Sequence, residues 1–121
     1  MVYIMYTSGT TGNPKGIQVT QRNILKLVFD PGEIAVKETD TVLQWSNYSF
    51  DGSTYEIYSS LLKGAGLCLI PEGSSADVYE MGKILLEGGV TVMFITTALF
   101  NSFVESNIGS LKGLRKLLFG G

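Results

Sequence analysis

Short apolar segments alternate with amphipathic segments along the chain. The apolar segments are rich in branched and aromatic residues, as buried strands are, and they cover residues 2–6, 41–45, 66–70, 90–95 and 116–119. Apolar residues recur with a helical period in residues 21–29, 54–63 and 77–87, and a fourth helix is predicted over residues 97–106. This alternation predicts an α/β fold with a mostly parallel sheet of about five or six strands, flanked by helices.

Two local patterns add detail to this prediction. Ser53 and Glu56 have the spacing of a capping box, in which the serine hydroxyl meets the Glu56 N–H while the Glu56 carboxylate reaches back. The charged stretch from Glu33 to Asp40 is predicted to be solvated.

Composition and charge narrow the range of functions. The chain has 121 residues, 45% hydrophobic and 17% charged, which indicates a single globular domain. A net charge of −2 argues against nucleic acid as a partner, and no apolar run reaches the ~18 residues that a membrane span requires. Cys68 is the only cysteine and lies in an apolar run, which favours a reduced core thiol and a cytoplasmic location. Without histidine, a zinc site or a Ser-His-Asp triad is effectively excluded.

Residues 6–16 read Tyr-Thr-Ser-Gly-Thr-Thr-Gly-Asn-Pro-Lys-Gly and form the most distinctive segment of the chain. Its glycines allow backbone N–H groups to turn inward, its hydroxyls donate hydrogen bonds, and Lys15 supplies a positive charge. Such a loop can wrap a polyanion, most plausibly a triphosphate. It is not the usual P-loop, because Gly16 stands where that pattern requires serine or threonine. The alternative is a flexible turn between two strands.

This segment resembles the phosphate-loop signature of adenylate-forming enzymes. Residues 50–57, Phe-Asp-Gly-Ser-Thr-Tyr-Glu-Ile, resemble a block of the nonribosomal peptide synthetase adenylation domains, and the spacing of the two blocks and residues 114–121 also fit. The resemblance runs essentially end to end. It implies a flavodoxin-like subdomain, with residues 1–121 as a single piece of the N-terminal core of an adenylation domain. The chain stops directly after a predicted strand, which also suggests a piece of something larger.

The resemblance assigns residues to two sites. The loop residues that would contact the ATP phosphates are Thr7, Ser8, Gly9, Thr10, Thr11, Gly12 and Lys15. Asp51 would pair with the α-ammonium of an amino-acid substrate, whereas the alternative is that Asp51 is merely favoured near a helix N-terminus. The positions that would form the side-chain pocket are Gly52, Tyr55, Phe94, Leu118 and Gly120. They carry no charge, so an aliphatic substrate is expected, with isoleucine favoured and leucine and valine left open.

The resemblance also implies the reaction and its partners. Amino acid and ATP with Mg²⁺ would give aminoacyl-AMP and pyrophosphate, and the aminoacyl group would pass to a carrier-protein thiol. The residues that hold adenine, ribose and Mg²⁺, and a catalytic lysine, would follow Gly121, so neither a catalytic nor a metal-binding residue is assigned here. The isolated chain is expected to bind no cofactor firmly and to be inactive, which a pyrophosphate-exchange assay with isoleucine would check. The alternatives are an engineered or excised self-folding scaffold without activity, and a fragment of an acyl-CoA synthetase-type ligase, which Asp51 disfavours.

Overall fold

The computed structural model describes residues 1–30, 32–75 and 77–121. Its strands, in chain order, are β1 (Tyr3–Thr7), β2 (Lys15–Val19), β3 (Thr41–Gln44), β4 (Gly66–Leu69), β5 (Val92–Thr96) and β6 (Lys116–Gly120). Its α-helices are α1 (Gln21–Phe29), α2 (Gly52–Leu61), α3 (Val78–Glu87) and α4 (Thr97–Ser106), and short 3-10 helices cover Gly32–Ile34 and Ile108–Gly113. Within these described ranges, no helix is long and apolar enough to cross a bilayer.

The strands form two separate sheets. Four of them make a parallel sheet in the order β4-β3-β5-β6, whereas β1 and β2 make an antiparallel hairpin of their own. The α/β class and the parallel sheet are therefore as predicted, and the hairpin accounts for the remaining two strands. The prediction that residues 2–6 form a buried strand is wrong, because the hairpin carries water-exposed side chains such as Ile4 and Tyr6. Its short apolar run could not distinguish a hairpin from a core strand.

Alternate side chains of the parallel strands point to opposite faces, and each face has its own apolar cluster. Leu43 and Met93 belong to the larger cluster, which packs against α3 and α4 through residues such as Met81 and Phe103. Val42 and Val92 belong to the smaller cluster with Tyr55 of α2. The sheet is thus covered on both faces, as parallel sheets usually are.

The beginning of α2 differs from the prediction. Ser53 lies inside the helix, and its hydroxyl donates to the Phe50 carbonyl at 2.7 Å instead of meeting the Glu56 N–H. The Glu56 carboxylate is fully buried and accepts hydrogen bonds from Ser46 and Gln44. The predicted capping box is therefore wrong, because a tertiary contact with the segment after β3 takes the carboxylate.

Asp40 joins the amino-terminal ends of all four parallel strands. It directly precedes β3, and its backbone carbonyl accepts the N–H of Gly66 in β4 at 2.9 Å. Its carboxylate accepts Thr91 Oγ1 at 2.8 Å and Arg115 Nε at 2.8 Å, just before β5 and β6 begin, and it also accepts Arg115 Nη2. The side chain of Asp40 is 3% exposed and that of Arg115 is 32% exposed. The predicted solvation of this charged stretch is wrong at Asp40, because Arg115, distant in sequence, covers it.

Asp40 also makes the stability of the fold depend on pH. The hydrogen bond from Arg115 holds the pKa of the Asp40 carboxyl well below its usual range, against the opposing effect of burial. The Lys37 N–H, at 2.8 Å, and the Thr91 hydroxyl act in the same direction as Arg115. Because the folded-state pKa is lowered, ionised Asp40 stabilises the fold above its unfolded pKa. This stabilisation is lost as pH falls through the acid range.

We expect the substitution Asp40→Asn to lower the free energy of unfolding by about 2–3 kcal/mol at neutral pH, measured by urea denaturation. The amide loses the charge pairing and turns an NH₂ group toward donors, although Arg115 keeps some access to water. Glu38→Gln, an exposed change in the same segment, is the control and should cost less than about 0.5 kcal/mol. The difference between Asp40→Asn and the wild type should shrink below about pH 4, and a difference independent of pH would contradict the assignment.

Candidate functional site

A cavity of about 490 Å³ lies between α1, α2 and the parallel sheet. Five of the six residues predicted to hold the amino acid line it, namely Asp51, Gly52, Tyr55, Phe94 and Leu118. The sheet positions them: Asp51 and Gly52 follow β3, whereas Phe94 and Leu118 are partners on the neighbouring strands β5 and β6. Ligands of parallel α/β sheets commonly bind beyond the carboxyl ends of the strands, which is the side of β3 on which Asp51 lies.

Asp51 stands at the N-terminus of α2 and is exposed to solvent. Its side chain makes no capping hydrogen bond to the helix, although its place at the N-terminus still favours a negative charge. Among the lining residues that the structure describes, Asp51 is the only one with a charge, and it shares the cavity with Tyr55 and Phe94. The site therefore combines a single accessible negative charge with a mostly apolar wall.

Tyr55 is a fixed part of that wall. Its side chain is buried and its hydroxyl donates to the Ile34 carbonyl at 2.9 Å. Burial raises the pKa of Tyr55 to about 12, which extends the pH range in which the hydroxyl is protonated and donates toward alkaline pH. The hydrogen bond ties the side chain of Tyr55, on α2, to the segment after α1, and this side chain lines the cavity.

The two predicted pocket glycines behave differently. A Cβ at Gly52 would lie 2.5 Å from Ser46 Oγ and 3.0 Å from a ring carbon of Phe94, so the protein already fills the space beside Gly52. Gly120 is not among the residues that line this cavity, and a Cβ there would meet no described atom within 4 Å. The structure thus gathers Gly52 into the site and leaves Gly120 at the end of β6.

Other lining residues were not found from the sequence. They come from the hairpin, α1, the 3-10 helix after it and α2: Tyr3, Val19, Asn23, Ile24, Leu27, Ile34 and Thr54. The Tyr3 hydroxyl is hydrogen-bonded to Thr54 Oγ1, and its ring stacks on Tyr58 at 6.4 Å. Helical periodicity indicated that α1 packs inward, but no sequence signal showed that α1 and the hairpin close one side of a cavity.

The predicted phosphate loop connects β1 to β2. Thr7 and Lys15 are paired across the hairpin, and the Gly12 N–H donates to the Gly9 carbonyl at 3.1 Å within the turn. Apart from half-buried Gly9, the predicted contact residues are exposed. In the described part of the chain, no hydrogen bond or ion pair ties the side chains of Thr7, Ser8, Thr10, Thr11 or Lys15 to other groups. These hydroxyls and the ammonium group remain available to a ligand.

The donors of this loop suit a polyphosphate, since they are hydroxyls, backbone amides and one cation. The described side chains do not form a metal site by themselves. Across residues 1–30, 32–75 and 77–121, no group of three or more metal-binding side chains comes together. Mg²⁺ commonly binds through substrate phosphates with few protein ligands, so the loop fits a metal–nucleotide complex better than a metal alone.

A sequence model described as AMP-binding enzyme matches residues 1–121. The chain therefore belongs to the AMP-binding enzyme family. Bacitracin synthase 1 of Bacillus licheniformis is 46% identical over 119 residues, which are 98% of this chain and 2% of that protein. This chain thus spans a small part of its relative.

Two solved structures are similar in fold as well as in sequence. The N-terminal subdomain of Klebsiella oxytoca NpsA, in complex with 3-hydroxybenzoyl-AMSN, has a TM-score of 0.85 and 32% identity. PA1221, an NRPS protein containing adenylation and PCP domains, has a TM-score of 0.88 and 36% identity. Each match covers 98% of this chain, but 30% of the NpsA chain and 24% of the PA1221 chain. These matches confirm the α/β fold with a parallel sheet flanked by helices.

We expect Gly9→Ala to change the conformation of the loop between β1 and β2, because the added Cβ would overlap the Asn13 carbonyl oxygen. Backbone has to move to relieve that contact. Backbone amide chemical shifts should change within residues 7–16, while the free energy of unfolding should change by less than about 1 kcal/mol, since the loop lies at the surface. Gly109→Ala is a matched control, because a Cβ there has no described neighbour within 4 Å. Equal shift changes in the two variants would contradict this account of Gly9.

Proposed function

We propose that this chain is the part of an amino-acid-activating adenylation domain that holds the phosphate loop and most of the amino-acid pocket. The observation that carries the proposal is that, of the described residues lining this mostly apolar cavity, Asp51 alone is charged. Similarity to bacitracin synthase 1 and to the adenylation-domain protein PA1221 supports the same reading.

The chemistry of the cavity suits the two ends of an aliphatic amino acid. The Asp51 carboxylate pairs with the α-ammonium group, and charge-assisted hydrogen bonds of this kind are stronger than neutral ones. Phe94 and Leu118 receive the side chain, and a charged side chain would be buried among them without a partner. The proposed substrate is isoleucine, with leucine or valine as alternatives. The volume of about 490 Å³ exceeds the need of any of the three, so volume alone does not select among them.

The reaction needs the substrate carboxylate to attack the α-phosphorus of ATP. A bond forms between the carboxylate oxygen and that phosphorus, the bond to pyrophosphate breaks, and aminoacyl-AMP results. The hydroxyls and backbone amides of residues 7–12, with Lys15, would hold the β- and γ-phosphates and neutralise the charge of the departing pyrophosphate. Mg²⁺, bound with the nucleotide, would add to that neutralisation. A carrier-protein thiol then attacks the aminoacyl carbonyl, a thioester forms, the acyl–phosphate bond breaks and AMP leaves. The remainder of the adenylation domain supplies the other nucleotide contacts.

We expect isoleucine to shift the amide resonances of Asp51, Gly52 and Tyr55 in an NMR titration of the 121-residue chain. Asp51→Asn should weaken this binding about tenfold or more, because the amide no longer pairs with the ammonium group. The variant should lose less than about 1 kcal/mol of unfolding free energy, since the Asp51 side chain makes no capping bond and only its charge near the helix N-terminus is removed. Asp30→Asn, an exposed change at the end of α1, is the control.

The same titration separates the proposed function from its rivals. 3-Methylpentanoate, which is isoleucine without its amino group, should bind more weakly than isoleucine. Equal affinity for the two compounds would favour the acyl-CoA synthetase-type ligase. The absence of shifts with either compound would favour a scaffold without activity.

We expect ATP with Mg²⁺ to shift the amide resonances of residues 7–16. Lys15→Gln should weaken this binding about fivefold to tenfold, and added salt should narrow the difference, because the contact is an exposed charge pair. Lys112→Gln removes a comparable exposed charge far from the loop in sequence and should leave the affinity unchanged. If both variants lose affinity equally, a general charge effect explains the binding and the loop assignment is wrong.

A further inference from the structure

Glu56 is a fully buried carboxylate behind the wall of the amino-acid cavity, and it is not one of the lining residues. Both of its oxygens accept the Ser46 N–H, at 3.1 and 3.0 Å, and one also accepts the Ser46 hydroxyl at 2.8 Å. Gln44 Nε2 donates to the other oxygen at 3.5 Å. The carboxylate of α2 is thus bonded to the carboxyl end of β3 and to the residue that opens the following turn.

This turn carries Asp51 to the cavity, and it is attached to α2 at both ends. Glu56 holds its beginning at Ser46. At its far end, the Ser53 N–H and hydroxyl donate to the Phe50 carbonyl at 3.2 and 2.7 Å. Between these points the Phe50 N–H donates to the Asn47 carbonyl at 2.9 Å, which closes the turn. The place of Asp51 therefore depends on where Glu56 holds Ser46.

The same contact determines the shape of the cavity at Gly52. The Ser46 hydroxyl that donates to Glu56 lies 2.5 Å from the position that a Cβ at residue 52 would take. Releasing the hydroxyl from Glu56 would free it to turn about its Cα–Cβ bond beside Phe94, which also approaches that position. The hydrogen bond to Glu56 keeps Ser46 in one place next to Gly52.

We propose that Glu56 is a positioning residue for amino-acid binding. Through its hydrogen bonds to Ser46, it fixes the position of the turn that leads to Asp51 and the shape of the cavity lining at Gly52. The inference rests on the proposed function for its substrate, but the geometry of the turn can be tested without any ligand.

The buried carboxylate of Glu56 is not explained by a gain in folding stability. Burial raises the pKa of the Glu56 carboxyl, while the hydrogen bonds from Ser46 and Gln44 partly oppose the shift. A raised pKa means that folding disfavours the ionised form, so the charge costs stability above the unfolded pKa of glutamic acid. What the carboxylate supplies is acceptor capacity, since both oxygens face donors.

The first test compares Glu56→Gln with the control Glu87→Gln, which changes an exposed residue at the end of α3. The partners of Glu56 all donate to it, so the NH₂ group of glutamine must face a donor. Without ligand, we expect amide shift changes concentrated in residues 46–52 and faster hydrogen exchange at the Ser46 N–H. Changes no larger there than in the control, or changes spread evenly over the chain, would overturn the inference.

The second test uses Ser46→Ala, which removes the hydroxyl and leaves the Ser46 N–H bonded to Glu56. This milder variant decides the question if Glu56→Gln does not fold. We expect isoleucine to bind about tenfold more weakly to Glu56→Gln and about threefold more weakly to Ser46→Ala. The loss of affinity should not parallel the change in the free energy of unfolding of the two variants. Unchanged isoleucine affinity in both variants would overturn the positioning role. If the wild-type chain itself does not bind isoleucine, the proposed function fails for this chain, and the ligand-free comparison decides the inference.

A third variant links Ser46 to Gly52. Gly52→Ala places a Cβ against the Ser46 hydroxyl, and Ser46→Ala removes the atom in closest conflict with it. We expect the double variant to bind isoleucine more tightly than the product of the two single effects predicts. If the effects of the two substitutions on the free energy of isoleucine binding are strictly additive, residues 46 and 52 do not share a contact at the cavity lining.

Discussion

The buried carboxylate of Asp40 is the interaction on which the parallel sheet depends. Parallel strands have no tight turn between them, so their relative positions are set by the hydrogen bonds between them, by packing and by contacts at their ends. Asp40 supplies the contacts at the amino-terminal end. Its backbone carbonyl accepts a hydrogen bond from Gly66 in β4, and its carboxylate accepts hydrogen bonds from Thr91, just before β5, and from Arg115, just before β6. The Asp40 carboxylate is buried, whereas the Arg115 side chain that pairs with it is still partly exposed to solvent. This arrangement limits the cost of burying the charge.

A second buried carboxylate, Glu56, lies beyond the opposite end of β3. Asp40 and Glu56 therefore hold the two ends of one central strand, but they differ in electrostatics. Asp40 has a cationic partner, which lowers its pKa, whereas the bonded partners of Glu56 are neutral donors and its pKa is raised. The amino-terminal end is therefore stabilised by charge pairing, and the carboxyl-terminal end uses a costly charge to arrange a turn. Asp51 and Gly52 follow the carboxyl end of β3, the end at which Glu56 is bonded.

The sequence predicted the elements well where one period dominates a segment. Helices α1 and α4 have the predicted bounds, and α3 begins one residue later because Asp77 caps it. The failures share one cause, which is that local patterns do not report tertiary partners. Ser53 and Glu56 match a capping box in spacing, but Ser46 takes the carboxylate. Asp40 stands among exposed charges, and only the fold brings Arg115 to it from 75 residues away.

The candidate site shows the same division between what a motif contains and what folding adds. The resemblance named Asp51, Tyr55, Phe94 and Leu118, and the packing of α2 on the sheet brings these four to one cavity. It did not name Tyr3 or Thr54, whose hydrogen bond joins the hairpin to α2 at the cavity wall. β1 continues from Tyr3 directly into the predicted phosphate loop, so one short strand connects the two halves of the proposed site. The two motifs are separated in sequence, but β1 connects the regions that they form. Neither motif alone indicates this connection.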